Sequence, residues 1–342
     1  MLFYNVRRAA FYIKGMINML TVGSFFAGVG GIDLGFLQTK KYKIVYANEI
    51  DKYPSTTYNA NFEEKMDIHD IHDIKGSDIP NFNIMIGGFP CQAFSLAGYR
   101  KGFDDEQGRG SLFFELVRIL KEKKKMNALP QVVFFENVKN LVSHDHGRTF
   151  RVILDYLEEL GYKVKQQVLN ATEYGNVPQN RERIYIVGFQ SINAYQKFSF
   201  PLPIELTQKL EDCIDFNSRV NKKYYYTSQT FKQYNELKES IIKDNTVYQW
   251  RRVYVRENKS NVCPTLTANM GTGGHNVPLI KCKGGIRKLS PKECFNLQGF
   301  PKNFKLPAEL SDTRLYKQAG NSVVVPVIKR IAINISDSLE SI

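Results

Sequence analysis

The feature that most constrains the fold is a regular alternation of apolar, strand-like segments with helix-like segments from Leu20 onward. This alternation is typical of a mostly parallel β-sheet with helices on both faces, so we predict an α/β fold. The predicted strands cover residues 20–26, 43–47, 83–86, 132–135, 162–169 and 184–189, and the predicted helices cover 32–37, 111–121 and 150–160.

The alternation stops near residue 200, and residues 204–285 carry aromatic side chains beside basic ones instead. A helical pattern returns over residues 323–335 and is expected to pack back onto the first domain. We therefore predict a second domain that is smaller and irregular. The predicted divisions are an N-terminal extension over 1–19, a first domain over 20–200, a small second domain over 201–305 and a returning segment over 306–342.

The charge of the chain is strongly basic and unevenly placed. There are 47 lysines and arginines against 34 acidic residues, a formal net charge of +13. Residues 201–310 alone hold 18 basic and 10 acidic residues. A basic segment beside a nearly neutral one predicts a catalytic body joined to a part that binds a polyanion. The alternative at this point is a solvated lysine-rich face.

Several protein classes are excluded by composition. No apolar run approaches the roughly 18–20 residues of a membrane helix, and residues 1–19 lack the clean apolar stretch of a secretory signal. We interpret those residues as an upstream extension without a role. The five cysteines form no Cys-x-x-Cys pair, which disfavours a zinc site and favours a reduced, cytoplasmic setting.

A glycine-rich turn follows the first predicted strand. Gly28, Gly30 and Gly31 let the backbone approach a ligand closely, and Glu49 ends the second strand, where an acid can accept hydrogen bonds from ribose hydroxyls. Asp33 in the first turn of the next helix would repel a pyrophosphate. An adenosyl cofactor without phosphate, such as S-adenosylmethionine, therefore fits better than a dinucleotide. The alternative is a plain strand-to-helix turn.

Two further reactive groups follow strand ends. Cys91 comes after Gly87-Gly88-Phe89-Pro90, and Glu136 follows an apolar strand. Since ligands bind beyond the carboxyl ends of parallel strands, Glu49, Cys91 and Glu136 are expected to converge. A thiolate is a candidate nucleophile, and a partly desolvated acid has a raised pKa that suits proton donation. The alternatives are a small buried cysteine and an ion-paired carboxylate.

Together, these groups suit chemistry on a pyrimidine base. A thiolate adds to C6 while the acid engages N3, and C5 then becomes nucleophilic enough to take a methyl group. Loss of the C5 proton and of the thiol restores the ring. The target carbon is inaccessible in a stacked duplex, so the base has to be flipped out.

With these residues, the chain resembles the bacterial DNA (cytosine-5)-methyltransferases. Seven blocks occur in that family's usual order, which is far more specific than any one of them. They are FFAGVGGIDLGF from Phe25, Asn48-Glu49, GGFPCQAFSLAG from Gly87, Glu136-Asn137-Val138, QNRERIYIVG from Gln179, RKLSPKECFNLQGFP from Arg287 and YKQAGNSVVVP from Tyr316.

The resemblance implies a Rossmann-like, S-adenosylmethionine-dependent methyltransferase domain with a small target-recognition domain, and it implies roles for residues. Cys91 would be the nucleophile and Glu136 the acid at the cytosine. Arg183 would support the flipped base, and Arg181 would help to position the base or the cysteine. The implied cofactor residues are Phe26, Gly28, Gly30, Asn48, Glu49, Asp67, Leu112, Asn321 and Ser322. The run from Asp67 to Ile71 leaves two registers open for the acid on the adenine side.

The resemblance also implies double-stranded DNA as the substrate. The candidate DNA-binding residues are Gln92, Ser95, Arg251, Arg252, Arg256, Thr265 and Leu266. We expect a sequence-specific enzyme of a restriction–modification system. It would form S-adenosylhomocysteine, need no metal and act as a monomer functionally paired with a restriction endonuclease. The alternatives are a tRNA cytosine-5 methyltransferase and a binding protein that keeps the fold without the catalysis.

Overall fold

A six-stranded sheet forms the centre of the computed structural model, which describes residues 19–90, 112–217, 219–251, 254–270 and 277–340. Its spatial order is β2-β1-β3-β4-β6-β5, in which β1 to β4 are parallel and β6 is antiparallel to both of its neighbours. The strands are β1 (Leu20–Phe25), β2 (Tyr42–Asn48), β3 (Ile84–Gly87), β4 (Val132–Val138), β5 (Lys163–Asn170) and β6 (Glu182–Phe189).

The central strands are apolar along their whole length because helices cover both faces of the sheet. All four residues of β3 and the first six of β4 are buried. The helices of this part are α1 (Gly31–Leu37), α2 (Lys52–Asn59), α3 (Leu112–Lys125), α4 (Arg148–Glu159), α5 (Ala171–Tyr174) and α6 (Ile192–Lys197). The mostly parallel α/β fold predicted from the sequence is thus confirmed.

Two apolar clusters hold the helices on the sheet. One includes Phe36 of α1 and Ile328 of the C-terminal helix, and the other includes Leu116 of α3 and Ile153 of α4. The C-terminal helix approaches α1 so closely that a Cβ on Gly35 would lie 2.5 Å from Ile328. The end of the chain therefore packs onto the first domain, as its helical pattern predicts.

The segment predicted to be small and irregular contains a second sheet, which the prediction did not include. Its four strands are antiparallel in the order β10-β9-β7-β8. The strands are β7 (Tyr248–Arg251), β8 (Tyr254–Glu257), β9 (Leu279–Cys282) and β10 (Gly285–Lys288). The later helices are α7 (Leu210–Cys213), α8 (Tyr234–Ser240), α9 (Pro291–Asn296), α10 (Asp312–Asn321) and α11 (Val325–Leu339). These strands are only four residues long, too short for their alternation to stand out from the sequence.

The predicted strands and helices of the first domain agree with the structure within a few residues. The predicted extension lies almost wholly outside the described residues, and the limits of the domains stay a prediction. In the part of the chain that the structure describes, no helix is long and apolar enough to cross a membrane.

Candidate active site

A cavity of about 840 Å³ opens at the carboxyl ends of β1 to β4. Its wall joins the glycine turn after β1, the end of β2, the segment after β3, the end of β4 and the loop between α10 and α11. The parallel strands bring these segments together because all four end at the same edge of the sheet.

The glycine turn forms one wall with a left-handed backbone. Phe26, Gly28 and Gly30 have φ values of 52°, 57° and 81°. A Cβ at Gly30 would lie 2.4 Å from the ring of Phe62, so only glycine fits there, while a Cβ at Gly28 would meet nothing within 4 Å. The turn thus leaves open space along its backbone, which suits a closely held ligand.

The Glu49 carboxylate ties this turn to the end of β2. It accepts hydrogen bonds from the backbone N–H of Gly28 at 3.2 Å and of Asp51 at 2.9 Å. Burial raises its pKa above the ordinary value of 4.5, although the two N–H donors oppose that effect. Glu49 is therefore fixed on the cavity wall at the place expected for a ribose-binding acid.

Asn48 lies on the cavity wall, whereas Asp67 does not. The amide of Asn48 donates to the backbone carbonyls of Asp67 and His69, so it holds the following segment against β2. Asp67 accepts from the hydroxyl of Tyr46 and is absent from the cavity wall, whereas Asp70, Ile71 and His72 lie on it. The structure thus does not support Asp67 as the acid on the adenine side.

The opposite wall comes from Leu112 at the start of α3 and from Asn321 and Ser322 after α10. Among the described residues, the buried Ser322 hydroxyl has no hydrogen-bond partner, and the same holds for the side-chain nitrogen of Gln318, which also lines the cavity. Unpaired buried polar atoms are costly, so their presence at a cavity fits a polar ligand. The glycine turn, Glu49 and these atoms together fit an adenosyl cofactor.

Glu136 occupies the floor of the cavity near the end of β4. Its carboxylate lies 3.0 Å from Nε of Arg183 on the antiparallel neighbour β6. Burial raises the pKa of Glu136 above 4.5, while the positive charges of Arg183 and Arg181 oppose that rise. The structure therefore brings Glu136 and Arg183 together in the arrangement that a polarising acid requires.

Cys91 itself lies outside the described residues, together with Gln92, Ser95 and Arg252. The chain leading to Cys91 is nevertheless held at the cavity. Phe89 and Pro90 line it, and the amide of Asn137 donates to the carbonyl of Phe89 at 2.8 Å. Asn137 follows Glu136 directly, so one strand end positions both the acid and the approach to the cysteine. This role of Asn137 was not predicted, although its motif was.

Arg181 is a tether between distant segments of the chain. Its guanidinium donates to the carbonyls of Leu266 at 2.7 Å, of Gly320 at 3.0 Å and of Ser322. Burial lowers its pKa to about 9. The predicted role in positioning the base or the cysteine stays a prediction. The two Nη atoms donate to the walls of the cavity, while the buried Nε has no partner among the described residues.

Thr265 and Leu266 are also bound to the first domain. The Thr265 hydroxyl donates to the carbonyl of Asn180 at 2.6 Å, and the N–H of Leu266 donates to the side chain of Gln179. Leu266 is fully buried, which does not support a direct DNA contact by its side chain. Gln179 thus binds the segment around Leu266 to the first domain, a role that was not predicted from the sequence. The available signal was its position at the start of the block QNRERIYIVG.

Two of the predicted DNA-binding arginines share one face of the second sheet. In the pairing of β7 with β8, Gln249 lies opposite Arg256, and Arg251 lies opposite Tyr254. Directly opposed residues point to the same face, so Arg251, Tyr254 and Arg256 lie together, and all three are exposed. Trp250 points to the other face and is buried. The exposed Tyr254 between the arginines was not predicted.

No group of three His, Cys, Asp or Glu side chains suited to a metal ion occurs among the residues that the structure describes.

Comparison with known proteins bears on this site. The family model described as C-5 cytosine-specific DNA methylase matches residues 20–337. The chain is 59% identical over 321 residues to Type II methyltransferase M.Bsp6I of Bacillus sp. (strain RFL6), covering 94% of this chain and 100% of that protein. It is 40% identical to Type II methyltransferase M.HhaI of Haemophilus parahaemolyticus, with 92% and 93% covered.

A similar fold occurs in the crystal structure of a DNMT2 mutant from Spodoptera frugiperda, with a TM-score of 0.71 at 20% identity over 93% of this chain and 99% of that one. This likeness shows the fold alone. The family match covers nearly the whole chain, including every block that forms the cavity. The chain therefore belongs to the C-5 cytosine-specific DNA methylases and is an enzyme of that family, a DNA (cytosine-5-)-methyltransferase.

Proposed function

We propose that this enzyme transfers a methyl group from S-adenosylmethionine to C5 of a flipped-out cytosine in a short DNA site, through a covalent bond between Cys91 and C6. The observation that carries the proposal is the ion pair of buried Glu136 with partly buried Arg183, 3.0 Å apart, in the cavity lined by the glycine turn and Glu49. The acid proposed to contact the cytosine and the subsite proposed for the adenosyl cofactor thus lie in one cavity.

Each residue has a defined task in this reaction. The Cys91 thiolate forms a bond to C6, and the electron pair of the C5–C6 double bond moves toward C4 and N3. Glu136, whose pKa burial raises, holds a proton or a hydrogen bond at N3 and so stabilises that charge. The cofactor supplies an electrophilic methyl group. Loss of the C5 proton then expels the thiolate and restores the ring.

Arg183 keeps the acid in place. Its Nη1 donates to the carbonyl of Glu182, and its Nε pairs with the Glu136 carboxylate. A guanidinium fixed in this way attracts the carboxylate as an ion pair and carries positive charge beside the ring that becomes electron-rich. The fixed arginine therefore favours the charged intermediate over the ground state.

The second sheet is the part that we propose to read DNA. Arg251, Tyr254 and Arg256 form an exposed basic and aromatic face, which suits phosphates and base edges. The docking of Thr265 and Leu266 onto residues 179–181 fixes that sheet relative to the cavity. DNA bound by this face would thus present its target base toward Glu136.

We further propose that methylation protects DNA from a paired restriction endonuclease in the cytoplasm, and that the enzyme acts as a monomer. The support is the similarity to proteins named type II methyltransferases. The same names do not favour the tRNA alternative.

The test has two measurements on one set of variants. The first is transfer of tritiated methyl from S-adenosylmethionine to unmethylated DNA, with bisulfite sequencing of the product. The second is a denaturation-resistant complex with DNA that contains 5-fluorocytosine, whose C5 fluorine blocks release of the thiol. Cys91→Ala should lose both signals, whereas Cys282→Ala in the second sheet should keep them.

The outcomes separate the parts of the proposal. Label at one recurring cytosine, with resistance to an endonuclease that cuts there, supports the whole. Label on DNA without a trapped complex contradicts the covalent step alone. Label on tRNA and none on DNA contradicts the DNA substrate.

A further inference from the structure

The segment after α2 contains one tripeptide twice in succession. Asp67-Ile68-His69 is followed directly by Asp70-Ile71-His72. The local bonding repeats as well. In each copy, one aspartate oxygen accepts the backbone N–H of the histidine at 3.0 Å, and the imidazole Nδ1 lies 2.5 Å from that oxygen in the first copy and 2.6 Å in the second. The two copies are therefore chemically matched.

The surroundings of the two copies differ. In the first, the remaining aspartate oxygen accepts from the hydroxyl of Tyr46 at 2.7 Å, and the backbone pairs with Asn48 at the edge of the sheet. In the second, Asp70, Ile71 and His72 line the cavity. The second oxygen of Asp70 and the N–H of Ile71 have no partner among the described residues. Only the second copy thus offers free hydrogen-bonding groups at the cavity.

The second copy is also held rigidly. Arg118 of α3 donates to the carbonyls of Ile71 at 2.9 Å and of Ile74 at 2.7 Å, and Asn48 donates to the carbonyl of His69. Since Asn48 immediately precedes Glu49, this segment runs beside the ribose-binding acid. The subsite next to the ribose has to take the base of an adenosyl cofactor.

The free groups match the edge of adenine. The exocyclic amino group of adenine is a donor and N1 is an acceptor, while Asp70 offers an acceptor and Ile71 a donor. The Asp70 carboxyl is ionised at neutral pH and can accept, and the N–H and imidazole of His72 hold its pKa below the ordinary value of 3.8. An ionised carboxylate accepts only, so the imidazole Nδ1 is the donor in that contact.

We propose that His72 is a positioning residue of the cofactor site: it holds the Asp70 carboxylate so that its free oxygen accepts the adenine amino group, while the matched His69 takes no part. This inference rests on the proposed function, because it presumes an adenosyl cofactor in the cavity. It assigns the adenine side to the second register of the repeat.

The test compares matched variants in binding rather than in turnover. Equilibrium binding of S-adenosylhomocysteine and of its inosine analogue is measured by calorimetry. The analogue carries an oxygen in place of the amino group and a proton on N1, so it reverses the hydrogen bonding of that edge. His72→Ala should weaken binding of the adenine compound about 5- to 10-fold, as expected for loss of one positioned hydrogen bond. His69→Ala should leave binding unchanged, and His72→Asn, which keeps a donor, should restore most of it.

The analogue shows whether the effect passes through the amino group. The wild type should prefer the adenine compound, and His72→Ala should lose most of that preference. Equal effects of the two alanine variants, or an unchanged preference in His72→Ala, would overturn the inference and leave the proposed function standing. A wild type that binds neither compound contradicts the proposed function itself. Thermal unfolding without ligand checks that both alanine variants are equally folded.

Discussion

Two neighbouring arginines at the start of β6 are expected to respond very differently to the same conservative change. Arg181 donates to three backbone carbonyls from distant places in the chain, whereas Arg183 pairs with Glu136 and donates to the carbonyl of its neighbour Glu182. A lysine keeps the charge but places a single nitrogen on a shorter reach, so it cannot serve diverging carbonyls. Nη1 binds the carbonyl of Leu266 and Nη2 binds those of Gly320 and Ser322, so Arg181→Lys loses one or two of the three bonds.

The magnitude follows from the bonds lost. A hydrogen bond from a charged donor contributes about 1.5–3 kcal/mol, so losing one or two costs about 3 kcal/mol. Arg183→Lys keeps its ion pair and loses one bond at the edge of the cavity, which amounts to about 1 kcal/mol. The folding equilibrium constant should thus fall about 100-fold in the first variant and less than about 10-fold in the second.

The assay is urea unfolding followed by the fluorescence of Trp250. This is the only tryptophan of the chain, and it lies buried in the second sheet, so its signal reports on the part that Arg181 tethers. Far-UV circular dichroism gives the unfolding of the whole chain. The tether role is refuted if Arg181→Lys unfolds like wild type, or if Arg183→Lys loses more stability. The rate of methyl transfer per folded molecule should show the opposite order: Arg183→Lys should lose more activity than Arg181→Lys, because only Arg183 contacts Glu136.

Three other changes have defined outcomes. Asp33 is fully buried, and burial raises its pKa from 3.8 in the unfolded chain to about 6 in the folded protein. The folded state therefore binds the proton of Asp33 more tightly than the unfolded state does. As the pH rises from about 4 to 6, the free energy of unfolding should fall by about 3 kcal/mol. Urea unfolding over that range should show a fall that is about 3 kcal/mol larger in wild type than in Asp33→Asn, because the other carboxyl groups titrate equally in both. Glu136→Gln should slow single-turnover methyl transfer about 10²- to 10⁴-fold with S-adenosylhomocysteine binding unchanged; a wild-type rate would contradict its role. Gly30→Ala should weaken S-adenosylhomocysteine binding at least about 10-fold, because left-handed strain of about 1–2 kcal/mol adds to the clash with Phe62. Equal unfolding midpoints for Gly30→Ala and Gly28→Ala would contradict this, because they would show that the clash is relieved.

The architecture of the first domain could be predicted because its cause is local. Strands buried on both faces need continuous apolar residues, and covering helices need one apolar stripe, so both patterns are visible along the chain. Residues at the carboxyl ends of parallel strands meet by geometry. For that reason the expected convergence of Glu49 and Glu136 agrees with their positions on one cavity.

The second sheet could not be predicted in this way. Its strands are four residues long, and the contact that joins its two hairpins is between residues far apart in the chain: Tyr248 pairs with Leu279. Short strands show too few alternations to reveal which side is buried. The shared face of Arg251, Tyr254 and Arg256 depends on the register of β7 and β8, which local patterning does not define.

The amino-acid sequence alone determined the class of fold, the family and the set of reactive residues, because these depend on residue type and local order. Tertiary structure alone distinguished chemically identical neighbours. Arg181 and Arg183 differ because the carbonyls that Arg181 binds lie 85 to 141 residues away. His69 and His72 differ because the chain turns the second repeat, and not the first, onto the cavity. Such differences arise from distant partners brought into contact by folding, and no local pattern contains them.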